Sequence, residues 1–232
     1  MVNAMPQLAL DFRWDTAADL ARFVARGNEQ AVAAVAKLAE PQAQSLYLAG
    51  PAGSGKSHLL QAACGLMSEA GKTAVYIPLA EHINRPATSL EGLEALSLVA
   101  IDDIDRAAGE AEWEEALFHC YNRIRDAGGH LLIAARPGPK ALGLQLADLT
   151  SRLQALLRWR LTPPDDARRR EILLTLVANR GLSLPRASLV YLLRHQARDV
   201  GYLVDLVERL DVASLQTGRR LTVPFIKSVL ED

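Results

Sequence analysis

Gly50-Pro51-Ala52-Gly53-Ser54-Gly55-Lys56-Ser57 lies between the apolar run Leu46-Tyr47-Leu48-Ala49 and a stretch in which Leu59, Leu60 and Ala63 recur at helical spacing. The eight residues satisfy the whole G-x-x-x-x-G-K-[ST] pattern, and the flanks satisfy its context of a preceding strand and a following helix. Gly50, Gly53 and Gly55 let the backbone curl until its N–H groups face one phosphate, and the helix N-terminus adds its dipole. In that arrangement Pro51, Ala52 and Ser54 complete the cradle, Lys56 reaches the β- and γ-phosphates, and the Ser57 hydroxyl ligates Mg²⁺. An ordinary glycine-rich turn between strand and helix has no need of the Lys-Ser pair. The expected ligand is therefore a nucleoside di- or triphosphate, ADP or ATP.

Working outward, short apolar runs at 45–49, 73–78, 96–101, 131–135 and 156–161 each read as a buried strand. Between them, 56–70 and 112–126 have a helical period and stop at Gly71 and at Gly128-Gly129. Residues 17–39 are Ala-rich and read as helical, after a tail at 1–16. Strands alternating with helices predict an α/β domain over 17–163, with a five-stranded parallel sheet and helices on both faces. From Pro163-Pro164 onward the pattern changes: 165–180, 185–195, 199–217 and 223–230 read as helices with no strand between them. A small all-helical domain over 164–232 follows. Its first helix opens on Asp165-Asp166, favourable beside the positive end of the macrodipole, and stops at Gly181.

The strand Leu98-Val99-Ala100-Ile101 ends in Asp102-Asp103. A buried parallel strand delivers its last residues to the carboxyl edge of the sheet, where the glycine loop also lies. Asp102 is placed to hold Mg²⁺ through water, and Asp103 to orient an attacking water. Apart from these, Arg168-Arg169-Arg170 reads as a solvated helix face, and Trp113 and Phe118 as core. His58, directly after the loop, reads as a residue of the first helical turn that borders the nucleotide.

The 26 Lys and Arg against 27 Asp and Glu give a formal net charge of −1, which offers no general attraction to a phosphate backbone. Direct DNA binding is not expected. Cys64 and Cys120 sit in apolar helical patterns without metal-ligand spacing, so neither a zinc site nor a disulfide framework is expected, and a reducing cytoplasm is the simplest location. No apolar stretch approaches the eighteen or so residues of a membrane span.

Taken with Ser97-Leu98-Val99-Ala100-Ile101-Asp102-Asp103-Ile104, Tyr121-Asn122-Arg123-Ile124, Asp148-Leu149-Thr150-Ser151-Arg152-Leu153 and Leu221-Thr222-Val223-Pro224-Phe225, the chain resembles the AAA+ ATPases. Within them it resembles the DnaA family of bacterial replication initiators, in particular its short regulatory members, from the glycine loop to the C-terminus. The chain is expected to end where a full initiator continues into its helix-turn-helix DNA-binding domain. The resemblance implies a regulator acting with the sliding clamp of DNA polymerase III, touching DNA only through that clamp, to promote hydrolysis of ATP held by the initiator DnaA. A homo-oligomer is a further possible assembly. An autonomous ATPase of the helicase-loader type is the alternative.

Three places carry these implications. Arg152 matches the family's arginine finger; a surface arginine paired with Asp148 would share the spacing. Gln7-Leu8-Ala9-Leu10-Asp11-Phe12 resembles a Gln-Leu-x-Leu-x-Phe clamp-binding peptide, with Gln7 as polar anchor and Leu8, Leu10 and Phe12 as apolar anchors. At the catalytic fine structure the chain departs from the family. Ala134-Ala135-Arg136 stands where a polar sensor is usual, and the sensor arginine of the helical domain falls at Gly201. Arg198, one helical turn earlier, is either its substitute on the nucleotide or a solvated residue paired with Asp199. Weak or absent ATP hydrolysis by the chain itself is expected, with nucleotide binding retained.

Overall fold

Alternation along each apolar run sorts the side chains of the sheet. In β1 (Leu46–Ala49), Leu46 and Leu48 face one side while Tyr47 and Ala49 face the other. A computed structural model describes residues 18–195 and 200–231. In it β1 joins β2 (Ala74–Pro78), β3 (Leu98–Asp102), β4 (His130–Ala135) and β5 (Leu157–Arg160) in one sheet ordered β2-β3-β4-β1-β5. Every pairing is parallel, with Tyr47 opposite Ile133 and Ile101 opposite Ile133 on β4's other side.

Helix α1 (Glu29–Ala36) and α2 (Lys56–Glu69) cover one face, burying Val35, Leu59, Leu60, Ala63 and Met67 against Leu46, Leu48, Leu98, Ala100 and Leu132. The short α3 (Leu79–His82), α4 (Ala111–Asp126) and α5 (Ala147–Gln154) cover the other, with Leu79, Trp113, Leu117, Ile124, Leu149 and Leu153 against Tyr47, Val99, Ile101 and Ile133. With both faces covered, a three-layer α/β domain results. The remaining helices, α6 (Asp166–Asn179), α7 (Arg186–His195), α8 (Val200–Thr217) and α9 (Val223–Glu231), have a core of their own built on Leu173, Leu192, Leu203, Val207, Leu210 and Ile226. None of the helices among the described residues is long and apolar enough to cross a membrane.

Two expectations change, and one helix was not foreseen. The span 17–39 is not one helix: a single 3₁₀ turn at Leu20–Arg22 leads to Gly27 at φ +79°, and only then to α1. Asn28 explains the break, because its side chain is committed to Thr162 at the far end of the sheet, accepting from Thr162 N at 2.9 Å and donating to Thr162 O at 3.3 Å. The run at 156–161 is a strand, but an edge strand whose Leu157, Arg158 and Arg160 are exposed. Its apolar character belongs to Leu156 and Leu161, just outside it. Finally α5, only two turns long, lies within a segment whose motif was legible and whose helix was not.

Candidate functional site

The glycine loop leaves β1, between β4 and the edge strand β5, and passes Gly53 and Gly55 at φ +71° and +96°, a conformation that a side chain at either position would strain. A Cβ at Gly50 would stand 2.7 Å from Ser54 Oγ and 3.0 Å from Leu161 O, so the loop is also closed sterically at its start. Ser54 Oγ is buried without a hydrogen-bond partner among the described residues. Lys56 Nζ donates to Gly50 O at 2.9 Å and Pro51 O at 3.1 Å, within the loop itself. Burial holds its ammonium below the usual lysine range, while the charges of Asp102, Asp103 and Asp105 act the other way. A half-desolvated cation on a glycine cradle with an unsatisfied hydroxyl fits a polyphosphate well.

β3 ends beside this loop with only β4 between them. Asp102 is 1% exposed; its Oδ2 accepts from Tyr76 Oη at 3.0 Å and its Oδ1 from Asp103 N at 2.9 Å. Ser57 and Gln61 lie near enough to the Tyr76 hydroxyl to favour its ionised form, against the larger effects of burial and Asp102. Tyr76 on β2 thus holds Asp102 and lies near Ser57, the two residues that could hold Mg²⁺, and is a neighbour of the candidate site that pattern reading missed. Burial and the Asp102 charge push its phenol well above the usual range, so it serves as a neutral donor. Asp103 takes the left-handed conformation at φ +52°, rare for a residue with a side chain. Burial, then the charges of Asp102 and Asp105, raises its carboxyl. On β4 the buried Ala134 and Ala135 present only methyl groups, and Arg136 is exposed just beyond them, near enough to depress Lys56 electrostatically.

The third wall is built from three distant pieces of chain. One cleft is lined by the loop, by residues 18–24 and by α6 and α8, among them Phe23, Gly55, His58, Arg168, Leu176 and Val204. A Cβ on Gly55 would come within 2.5 Å of the Phe23 ring, so the aromatic ring lies directly on the loop. His58 stands beside Phe23, with ring centroids 5.6 Å apart, and its Nε2 is 3.1 Å from Asp19 O. Arg168 corrects the reading of its run as a solvated face. It is 4% exposed, donates from Nε to Val24 O at 2.9 Å and from Nη1 to Thr162 O at 3.2 Å, and stacks on Phe23 at 5.5 Å. Asp165 caps α6, accepting from Arg168 N at 2.7 Å, and Asp166 pairs with Arg169. Arg180 also lines the cleft and pairs with Asp211 across α6 and α8. Gly201 lies in the first turn of α8, exposed beside the lining residue Val200.

Arg152 lies in the last turn of α5, half-buried. Among the described residues it has no side-chain hydrogen bond and no ion pair, with Asp148 or otherwise, and it is not among the residues lining the cleft. Trp113 is core, donating to Ile83 O at 2.9 Å, whereas Phe118 is only partly buried at the rim of a groove on α4. Arg198, Gln7, Leu8, Leu10 and Phe12 lie outside the described residues.

A glycine loop and acidic strand end flanking β4, in a sheet ordered β2-β3-β4-β1-β5 with a helical lid beside the loop, define the AAA+ fold. The chain belongs to the bacterial DnaA ATPase-domain family, whose model matches residues 19–162, and residues 166–230 match the model of the Hda lid domain. Domain III of the Thermotoga maritima replication initiation protein DnaA has the same fold, with a TM-score of 0.79 at 23% identity over 95% of this chain and 98% of that one. AMPPCP-bound DnaA from Aquifex aeolicus superposes with a TM-score of 0.68 at 21% identity, covering 85% of this chain and 66% of that one. The Thermotoga maritima RuvB Holliday junction branch migration motor does so at 0.63 and 16% identity, over 90% and 69%. Identities this low establish the fold alone.

Proposed function

We propose that this chain is a regulator of chromosome replication initiation. With the DNA-loaded sliding clamp of DNA polymerase III, it stimulates hydrolysis of ATP bound to the initiator DnaA, through Arg152 acting in trans. The observation that carries this reading is the half-buried Arg152, whose side chain has no hydrogen-bond or ion-pair partner among the described residues, on a short helix outside the chain's own cleft. A guanidinium held so has its fork free for a neighbour's phosphoryl oxygens, where it stabilises charge that develops only in the transition state. Its own nucleotide, ADP or ATP with Mg²⁺, has a structural part, bridging the glycine loop, the strap formed by residues 18–24, and the lid. In that site Lys56 faces the phosphates, and Ser57 and Asp102 would hold the metal, which neutralises phosphate charge. The methyl groups of Ala134 and Ala135 cannot orient water, which favours an activator over an autonomous helicase-loader-type ATPase. Reconstitution with DnaA, ATP and clamp-loaded DNA tests the reading: hydrolysis faster only when all components are present supports it, and equal rates without this protein refute it.

Lys56→Ala is expected to weaken ADP·Mg²⁺ binding by about 2 kcal/mol, the range for hydrogen bonds to a charged group. Isothermal titration reads this directly, and an unchanged affinity removes Lys56 from the site. Replacing Gln7, Leu8 and Leu10 together by alanine is expected to abolish binding to immobilised clamp while ADP affinity stays at the parent value, since the apolar anchors and the polar one act as a unit. Surface plasmon resonance measures the first and titration the second; full retention of clamp binding assigns the tail another role.

A further inference from the structure

We infer that Glu114 is the positioning residue for Arg152, holding the start of the finger helix against the segment that follows the metal-side aspartates; this rests on the reading of Arg152 as a finger. Glu114 is on α4, 1% exposed, and is the most buried carboxylate besides Asp102 among the described residues. It has no cationic partner among them, and its oxygens are filled by backbone N–H groups. Oε1 accepts from Gly109 N at 2.8 Å and Gln145 N at 3.1 Å, and Oε2 accepts from Gln145 N at 2.8 Å and Leu146 N at 2.7 Å.

Leu146 is the N-cap residue of α5 and cannot cap with its own side chain. A helix start without a capping side chain leaves orphan donors, and a buried carboxylate there also meets the positive end of the macrodipole. Glu114 therefore caps α5 from another helix. Apart from Arg158 Nη1, which donates to Gln154 O at 2.8 Å at the far end of the helix, the attachment of α5 among the described residues is apolar: Leu149 and Leu153, four apart on one face, enter the core that also holds Leu117 and Tyr121. Apolar contact is non-directional and fixes the face that α5 presents better than its position along its axis. Hydrogen bonds to one carboxylate fix that position, and hence where Arg152, a turn and a half along, projects.

Gly109 connects the same carboxylate to the active edge. It closes the segment that runs from Asp102 and Asp103 through the 3₁₀ turn Ile104–Ala107. The carboxylate is the hydrogen-bonded junction between that segment and α5, so removing it frees the finger helix without touching Lys56, Ser57 or Asp102.

The test is single-turnover hydrolysis of ATP on the initiator with clamp-loaded DNA, comparing Glu114→Gln, Arg152→Ala and the double variant. Glutamine keeps the length but offers one acceptor oxygen and turns an NH₂ toward backbone donors. Its maximal rate should fall about tenfold to a hundredfold, the effect of misplacing a catalytic group by about 1 Å. The half-saturating concentration and ADP affinity should not change, and the substitution should add nothing once Arg152 is alanine. Hydrogen exchange on the protein alone should be faster at Gln145 and Leu146. A wild-type rate for Glu114→Gln, or an additive loss in the double variant, overturns the positioning role. A wild-type rate for Arg152→Ala overturns instead the finger reading beneath it. Should Glu114→Gln not fold, Glu114→Asp takes its place, retracting the charge by one methylene; failure of both to fold assigns the carboxylate to stability and overturns the proposal.

Discussion

Arg152→Ala is expected to lower stimulated hydrolysis of initiator-bound ATP by about 10³ to 10⁵, or about 4 to 7 kcal/mol of transition-state stabilisation. Fold, ADP affinity and clamp binding should stay at parent values. The size follows from the charge involved: a phosphoryl group in flight spreads negative charge over three oxygens, and a planar fork can meet two of them. The selectivity follows from position. The Arg152 side chain makes no hydrogen bond or ion pair among the described residues, so its loss takes no polar ground-state contact from this protein. Truncating an exposed salt bridge would cost at most about 1 kcal/mol and would leave the rate nearly intact. Arg152→Lys should restore little, because an ammonium keeps the charge without the fork. The decisive measurement is single-turnover decay of labelled ATP preloaded on the initiator at saturating clamp-loaded DNA. Parent-level stimulation by the alanine variant would sink the assignment and direct attention to Arg136, exposed at the end of β4.

Arg168→Ala is expected to cost about 2 to 3 kcal/mol of stability and, separately, most of the stabilisation that ADP confers. The guanidinium ties three pieces of chain: α6, which carries it; the strap, through Val24 O and the Phe23 ring; and the exit of β5, through Thr162 O. Hydrogen bonds to a charged group contribute about 1.5 to 3 kcal/mol each, and burying the cation offsets part of that. Removal leaves Val24 O without its donor, whereas Thr162 O keeps Asn28. Because Phe23 lies on Gly55, a loosened strap also opens the cleft over the glycine loop. Ligand bound only to the folded form stabilises by about 2.7 kcal/mol at a hundredfold excess over its Kd, so a weaker Kd shrinks that increment. Urea midpoints with and without ADP·Mg²⁺ separate the two effects. A variant that loses stability yet keeps the full ADP increment would make Arg168 a fold residue only.

The glycine loop, Asp102-Asp103 and the strand pattern were legible because each depends on neighbours a few residues apart. Gly50 to Ser57 is a contiguous cradle, and Leu46 and Leu48 against Tyr47 and Ala49 follow from the two-residue period of a strand. Two misreadings came from the same locality. The Ala-rich stretch at 17–39 has good helix formers, but Asn28 is committed to Thr162, 134 residues away, and Gly27 turns the chain left-handed. Arg168 shares its run with two other arginines, and no local signal separates the one that is buried.

What the sequence determined by itself is the architecture: an α/β sheet with a glycine loop at its carboxyl edge, a neighbouring strand that ends in Asp102-Asp103, and a helical domain after Pro163-Pro164. Tertiary structure alone decided what surrounds that loop. Tyr76 reaches Asp102 only because β2 pairs with β3; Phe23 covers Gly55 only because the strap returns across the loop; and Glu114 reaches Leu146 only because α4 and α5 share a face. Each contact joins residues whose separation in sequence is tens of positions or more, where no periodicity runs. The order of strands and the burial of one side chain against another then decide which polar group finds which partner.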